Sequence, residues 1–512
     1  MRSLRHTGVA LATAAALAAA CGTVSAAGAG ADAALQAAID KLGARLEQLE
    51  RRNRELEQRL VDLAKSAAHP AQPAAAAAIE PRVKALEDAN ARTERSLASD
   101  RISEHEPELV TRLKAVEGQT ASLQQPARQL EALEGITVEA SLTGMAQRVD
   151  RKGSASARAA SRLNYRGDLS VTLPGGGLGD AEGTIFAHLR FGQGSGVGLR
   201  PTYTSSPNTT AFEVSGVGNP DSSFAILAQA WYQLAVPLAS RASGSQDEPR
   251  LEFTVGKIDP FVFFDQNAAA QDETVHFTNN VFVHNPLLDS GGDVGVDAYG
   301  FSPGLRVAYL NQSDKSLSWA ASVGVFGSGP AANFSASPGR PFVIGQLEAS
   351  TRLFGGLPGT YRFYAWRNGR AEDFDGALAV HSGWGLSVDQ RVDDWLTLFG
   401  RFGNRTAGRS NFDRALTVGA EFGGSPWRRG ADAIGVAAGW LRTSDDFRSA
   451  TADGSRVGYA ASGSERVAEI YYRYHLNSHV DITPDLQWIQ RPGGDGRAPT
   501  TTIVGLRARV GL

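Results

Sequence analysis

The chain has 512 residues, of which 42% are hydrophobic and 21% are charged, and its formal net charge is −3. This balance has no basic excess, so the composition argues against nucleic acid as a partner. The single cysteine, Cys21, lies in a leader-like N-terminal segment, which excludes a disulfide scaffold, a cysteine-ligated zinc site and a catalytic thiol from the mature chain.

Residues 1–26 contain the three parts of a secretory signal peptide in the usual order. Arg2 and Arg5 give the positive start, residues 8–20 are apolar, and residues 24–26 (Val-Ser-Ala) offer a small-residue cleavage site. We therefore predict that this segment directs export and is then removed.

Residues 27–65 place apolar side chains at alternating spacings of four and three, which predicts a coiled coil. Asn53 occupies one core position, where it would fix the register of the helices without deciding between a dimer and a trimer. A single amphipathic helix packed against a globular partner is the alternative. The predicted seam consists of Leu35, Ile39, Leu42, Leu46, Leu49, Asn53, Leu56, Leu60 and Leu63.

Residues 66–134 are predicted to form a linker and a weaker helical or coiled-coil segment. Pro70 and Pro73 break the helix, and the heptad pattern resumes only partly through 79–97 and 109–123. A partly disordered spacer is the alternative interpretation of this segment.

From residue 135 onward the pattern changes to a period of two, which is typical of β-strands. In residues 468–476, for example, Ile470 and Tyr474 face one side, and Glu469 and Arg473 face the other. About sixteen such segments can be counted along residues 136–512. Their centres lie near residues 140, 168, 188, 230, 253, 306, 321, 348, 363, 386, 399, 418, 438, 471, 485 and 506.

Both a soluble sandwich and a membrane barrel would alternate in this way. The polar faces carry charged side chains such as Arg190 and Glu348, and small Gly and Ala residues often occupy the apolar faces. Lipid tolerates small residues, whereas a packed sandwich core would be left with voids. No apolar run beyond the leader reaches the roughly 18 residues of a spanning helix. We predict an all-β transmembrane barrel of about 16 antiparallel strands over residues 135–512, preceded by an α-helical coiled-coil segment.

Several blocks of the barrel segment resemble the OprB-type family of carbohydrate-selective porins. They occur in the family's order, and the resemblance spans roughly residues 165–512. The N-terminal coiled coil departs from the simplest members and is similar to the periplasmic extension of some relatives. The blocks are GKIDPFVFFDQNAAAQDETVHFTNNVFVHN (256–285), HSGWGLSVDQ (381–390), LFGRFG (398–403), EFGGSPWRRGADAIGVA (421–437), ERVAEIYYRYHL (465–476) and ITPDLQWIQRPGG (482–494).

This resemblance implies a sixteen-stranded barrel in the bacterial outer membrane that assembles as a homotrimer. It implies passive diffusion of sugars and other small hydrophilic solutes, without a cofactor. The preference for sugars follows from the resemblance alone. The expected surroundings are outer-membrane lipid around the barrel and the periplasm around the N-terminal arm.

The segment 259–290 is long, partly polar and unlike a strand. One interpretation folds it into the lumen, where its carboxylates and amides would hydrogen-bond sugar hydroxyls. The other has Asp265 and Asn267 cap a short helix or close a turn, and both can hold at once. The constriction candidates are Asp265, Gln266, Asn267, Asp272 and Glu273.

Strand alternation also predicts which side chains face the lumen. Arginines and glutamates there would create a transverse field, or would simply form ion pairs in a solvated interior. Trp231 and Tyr471 would each stack on a sugar ring or brace the wall. The lumen candidates are His188, Arg190, Trp231, Glu348, Arg352, Arg401, Glu421, Glu469, Tyr471, Arg473, Arg507 and Arg509.

Other function classes leave weaker traces in the sequence. Nine histidines are present, but none accompanies a nucleophile in a recognisable setting, so we expect no catalysis. The acidic run 265–273 lacks the spacing of a calcium loop, so we expect no metal site. Two alternatives remain: an envelope tether whose arm links the outer membrane to peptidoglycan, and a porin for anions or iron species.

Overall fold

A computed structural model of the protein describes residues 135–201, 203, 206–212, 223–238, 249–289, 293, 299–314, 316–329, 332 and 339–512. The predicted signal peptide (1–26), coiled coil (27–65) and linker with its weaker helical segment (66–134) lie outside these residues. Those three assignments therefore stay predictions.

The described residues form sixteen strands that pair antiparallel in chain order, and β1 pairs with β16 to close the ring. Every strand centre predicted from the alternation falls inside an observed strand, so the predicted barrel is confirmed. The strands are β1 (Thr137–Val149), β2 (Ala160–Leu178), β3 (Ala181–Gln193), β4 (Phe224–Pro237), β5 (Arg250–Ile258), β6 (Ser302–Asn311), β7 (Leu317–Phe326), β8 (Phe342–Leu353), β9 (Leu357–Glu372), β10 (Leu378–Asp393), β11 (Leu396–Ala407), β12 (Phe412–Gly423), β13 (Ala433–Thr443), β14 (Glu465–Asn477), β15 (Val480–Gln490) and β16 (Thr501–Gly511).

Two short α-helices lie in the described parts of the connections between strands. Helix α1 (Asn280–Val283) begins after Asn279, whose side chain accepts a hydrogen bond from the backbone N–H of Val281. Helix α2 (Asp445–Ala450) begins after Ser444, which caps its first turn in the same way. Among the helices that the structure describes, none has both the length and the apolar character needed to cross a membrane.

The two faces of the strands differ in the way that the alternation predicts. Leu142 and Leu506 are 45% and 50% exposed on the outer face, whereas their neighbours Thr143 and Arg507 are buried inside. Large aliphatic side chains left in contact with water would forfeit about 25 cal/mol per Å² of apolar surface. An outer surface covered with such side chains is therefore suited to acyl chains.

Part of the inner face is apolar, which the sequence analysis did not predict. Phe326, Phe342 and Phe399 point inward and are at most 5% exposed. They are covered by Phe264 and Phe277 from the connection between β5 and β6. The expectation of a polar inner face is therefore wrong where this connection packs against the wall.

The two ends of the barrel carry connections of different length, and the long loops of outer-membrane barrels lie on the extracellular side. Residue 135 precedes β1 at the short-turn end, and Leu512 ends the chain there with its N–H bonded to Ala140. The loop end carries the connections 150–159, 194–223, 259–301, 327–341, 373–377, 408–411, 444–464 and 491–500.

Replacing Leu506 with Arg tests whether the outer face contacts hydrocarbon. Leu506 lies in the middle of β16, so we expect Leu506→Arg to lower the free energy of unfolding in lipid vesicles by about 2–4 kcal/mol. Urea titrations followed by tryptophan fluorescence would measure the change. Leu506→Ala is the control and should cost less. A change within about 0.5 kcal/mol for the arginine variant would point to a water-exposed surface instead.

Candidate functional site

The described part of the connection between β5 and β6, residues 259–289, lies inside the barrel and is called the inward loop below. Several of its apolar side chains, among them Phe264, Phe277 and Phe282, are at most 1% exposed and pack against the inner wall. The interpretation that folds this segment into the lumen is therefore supported.

Asp265 and Arg401 form the most deeply buried attachment of the inward loop. Oδ1 of Asp265 lies 3.1 Å from Nε of Arg401 and accepts a hydrogen bond from the hydroxyl of Tyr364 at 2.7 Å. Oδ2 accepts the backbone N–H of Asn285 at 2.5 Å. Arg401 also donates to the carbonyl oxygens of Phe282 and Asp265. All acceptor sites of this carboxylate face protein, so Asp265 serves the loop's attachment and does not contact the channel.

Asn267 forms a second attachment, on β10. Its Nδ2 donates to the carbonyl of Val388 at 3.0 Å, and its Oδ1 accepts the N–H of Ala269 at 3.1 Å. The Ser387 hydroxyl donates to the carbonyl of Gln266 at 2.8 Å. Asn267 is 1% exposed and closes a turn, as the structural interpretation of its sequence position predicts.

Glu469 on β14 holds the start of α1. Its two carboxylate oxygens accept the backbone N–H groups of Thr278 at 2.6 Å and of Asn279 at 3.0 Å. Next to it, the ring of Tyr471 meets Phe277 edge-on at 5.0 Å between centroids. A Cβ at Gly435 would lie 2.1 Å from the Tyr471 ring, so glycine is what lets this ring press against the wall.

Arg507 on β16 attaches the middle of the inward loop. Its guanidinium donates to the carbonyl oxygens of Glu273 and His276 at 2.7 Å and of Val275 at 2.8 Å. These three carbonyls lie within four consecutive residues of the loop backbone. One buried cation therefore satisfies backbone acceptors that the absence of regular structure would leave unpaired.

Four of the predicted lumen residues need a correction. Arg401, Glu469, Tyr471 and Arg507 point into the barrel as predicted, but each is only 1–2% exposed. The inward loop covers them, so they hold the loop and do not line the water. Strand alternation gives the face of a residue, but it carries no information on what later covers that face.

An open cavity of about 640 Å³ remains between the inward loop and the wall formed by β1, β2, β3 and β16. Wall and loop both contribute charged groups to it. The wall contributes Arg166, Asp168, His188, Arg190 and Arg509. The loop contributes Asp259, Asp272, Glu273, His284 and Asp289, together with the uncharged Phe261. The aromatic residues Tyr299 and Phe301 complete this lining.

Asp168 is the centre of the charges on the wall. Its carboxylate lies 2.7 Å from Arg190, 2.9 Å from Arg166 and 2.9 Å from His188. Arg166 reaches across to Glu273 of the inward loop at 2.6 Å. The side chain of Arg190 is 17% exposed and lines the cavity. Cations on the wall thus face carboxylates on the loop.

A second cavity of about 490 Å³ adjoins the first toward the short-turn end. Ser141, Asp168 and Arg509 line both cavities, so the two form consecutive parts of one path. His475 and Asp481, whose side chains lie 2.8 Å apart, line this second part. Arg509 and His188 therefore lie where the alternation predicts them.

The remaining predicted residues fall into different places. Glu348 pairs with Arg362 at 2.7 Å on the inner wall, and Glu421 accepts a hydrogen bond from the hydroxyl of Tyr471. Arg473 lies 3.8 Å from Glu421. Trp231 stacks on Phe186 at 4.7 Å, which favours the role of a wall brace. Arg352 is exposed beside the 354–356 turn and donates to Gly356, so it belongs to the rim.

Asp272 and Glu273 are the two constriction candidates that reach the main cavity, and Gln266 instead bonds back to Val262 within the loop. The sequence analysis did not single out Asp168, Phe261 or Phe301 as site residues. The alternation places Asp168 on the inner face, which was an available signal. The positions of Phe261 and Phe301 depend on how the loop folds, for which the sequence has no simple pattern.

His284 gives the loop a titratable group beside the cavity. Its ring stacks on Phe261, and its Nδ1 lies 3.1 Å from Asp289. Burial alone would lower the pKa of His284, but the hydrogen bond and charge of Asp289 raise it above its ordinary value, helped by Asp259. Burial in turn raises the pKa of Asp259, against the opposing charge of His284. Within the described residues no group of three or more acidic, histidine or cysteine side chains is arranged to hold a metal ion.

A family model described as "Carbohydrate-selective porin, OprB family" matches residues 187–512. Among solved structures, OprB from Pseudomonas putida at high pH matches with a TM-score of 0.58 and 19% identity, covering 75% of this chain and 96% of that chain. The outer membrane channel DcaP of Acinetobacter baumannii matches with a TM-score of 0.46 and 12% identity, covering 74% of this chain and 97% of that chain. No curated protein matches the sequence.

Removing the Arg401 side chain should widen the channel. Arg401→Ala leaves the Asp265 carboxylate buried without its partner, which costs about 3–5 kcal/mol for such a pair and releases the inward loop. We expect a higher and noisier single-channel conductance in planar bilayers. Arg352→Ala, at the rim, is the matched control and should conduct like the wild type. An unchanged conductance in a folded Arg401→Ala barrel would refute this role.

Raising the pH should remove a positive charge from the cavity. Because the pKa of His284 is raised, the ring stays charged past its ordinary pKa of 6.5 and loses its proton only above that value. We therefore expect the permeability of the channel to anions, relative to cations, to fall as the pH passes through this range. Reversal potentials in a salt gradient would measure it. His284→Gln should lack this step, and identical profiles for the two proteins would contradict the assignment.

Proposed function

Because the chain belongs to the OprB family of carbohydrate-selective porins, we propose that it forms a water-filled channel in the bacterial outer membrane. Carbohydrates and other small hydrophilic solutes diffuse through this channel down their concentration gradients. Movement of this kind involves no chemical step and no cofactor.

The main cavity is the observation that carries the proposal. Its volume of about 640 Å³ is in the range of small-molecule sites. Arg190 and Asp168 offer donors and acceptors for hydroxyl groups, and Phe261 and Phe301 offer aromatic surface beside them. Sugars present hydroxyl groups at their edges and C–H groups on their faces, so this lining complements both. The charged groups that line the cavity can exchange a hydrogen bond with the solute for one with water. Such a solute therefore passes without tight binding.

The arm before the barrel completes the proposal. Residue 135 lies at the short-turn end, so we place residues 27–134 in the periplasm. The heptad seam of residues 35–63 would bring copies of the chain together, which agrees with the homotrimer that the family resemblance implies. Contact of the arm with peptidoglycan stays a prediction.

Sugar competition in planar bilayers tests the solute class. We expect glucose or maltose to reduce the ion current through the wild-type channel in a concentration-dependent manner. Arg190→Ala removes a charged hydrogen-bonding group from the cavity and should weaken this block by about tenfold. Liposome swelling with a series of sugars of increasing size would give the exclusion limit of the same channel.

Arg352→Ala is again the control, since its side chain lies at the rim, and it should be blocked like the wild type. An open channel whose current no sugar reduces would exclude the carbohydrate assignment. If phosphate or an iron chelate reduced the current instead, the channel would belong to the alternative class of porins for non-sugar solutes.

A further inference from the structure

A shallow groove crosses the outer surface of β12, β13, β14 and β15, on the opposite side of the wall from the channel. It encloses about 390 Å³ and is lined mainly by apolar side chains. Ala438 and Ala468 are direct cross-strand partners and form its floor. Trp488, the partner of Ala468 on β15, and Trp440 on β13 rise beside this floor. These two small side chains beside two large ones leave an apolar slot in the outer surface.

The groove lies in the half of the wall nearest the loop end. Arg466 is the second residue of β14 and Gln490 is the last residue of β15, and both border the groove at this end. Because the loop end faces the outside of the cell, the groove lies at the depth of the outer leaflet.

Three arginine side chains lie at the loop-side end of the groove. Arg414 and Arg442 are cross-strand partners one row above Leu416, and Arg466 borders the groove itself. Arg442 is neutralised by Asp413 and Asp445. Arg414 and Arg466 are exposed, and neither forms an ion pair or a hydrogen bond with another residue that the structure describes.

Two free guanidinium groups directly above an apolar slot match one kind of ligand. Arginine binds phosphate oxygens through two parallel hydrogen bonds, and its charge is tolerated at headgroup level. The hydrocarbon below it can accept only an apolar chain. We propose that this groove binds lipopolysaccharide, the lipid of the outer leaflet. One of its acyl chains lies on the alanine floor between the tryptophans, and a phosphate of its headgroup contacts Arg414 and Arg466.

The experiment uses the full-length protein after detergent exchange has removed bound lipid. Purified lipopolysaccharide of a short-chain type is added back, and native mass spectrometry counts the molecules that each variant retains. One basic residue near an anionic membrane surface strengthens binding by about fivefold, so we expect about 25-fold weaker retention by the double variant Arg414→Gln/Arg466→Gln. Ala468→Phe fills the floor and should also reduce retention.

Arg367→Gln is the matched control, since Arg367 is an exposed, outward-facing arginine on β9. It should retain lipopolysaccharide like the wild type, and single-channel conductance should stay unchanged in all variants.

Wild-type retention by the double variant, or by Ala468→Phe, would overturn the proposal. Equal retention of phosphatidylglycerol would show a general phosphate-lipid surface instead. Loss of the oligomer in Ala468→Phe with unchanged retention would show that a second copy covers the groove. Because conductance is recorded separately, failure of the channel function would not be mistaken for failure of lipid binding.

Discussion

The channel depends on one constraint: the inward loop must be held against the wall by groups that water does not reach. Asp265 and Arg401 are at the centre of this attachment, and each has further hydrogen bonds to the loop or to Tyr364. A similar ion pair at the surface would contribute about 0–1 kcal/mol and would leave the loop free. Because the pair is buried and fully hydrogen-bonded, it holds the loop in one position. Any other position would leave a buried charge without its partner.

The attachments divide the barrel interior into two unequal parts. On one side, aromatic rings such as Phe264 and Phe277 fill the space between loop and wall like the core of a soluble protein. On the other side, toward β1–β3 and β16, charged groups keep the space hydrated. Arg166 marks the border, since it binds Asp168 on the wall and Glu273 on the loop. The channel is therefore displaced to one side of the barrel.

The strands could be predicted from sequence because alternation is a local property of the chain. Ile470 and Glu469 show their faces in any window of a few residues. The partner of Glu469 could not be predicted from such a window, since Glu469 bonds to Thr278, 191 positions away. Asp265 illustrates the same limit: its residue type suits both a pore wall and a turn, and only the folded loop shows that its carboxylate is buried.

The inward loop is translated before most of the wall that holds it. Arg401 follows Asp265 by 136 positions in the chain, and Arg507 follows Val275 by 232 positions. Closing the ring joins residues that are still farther apart, since Ser141 on β1 pairs with Gly511 on β16. The attachments of the loop are therefore complete only when the last strand is in place, because Arg507 belongs to that strand. The width of the pore is consequently a property of the finished ring.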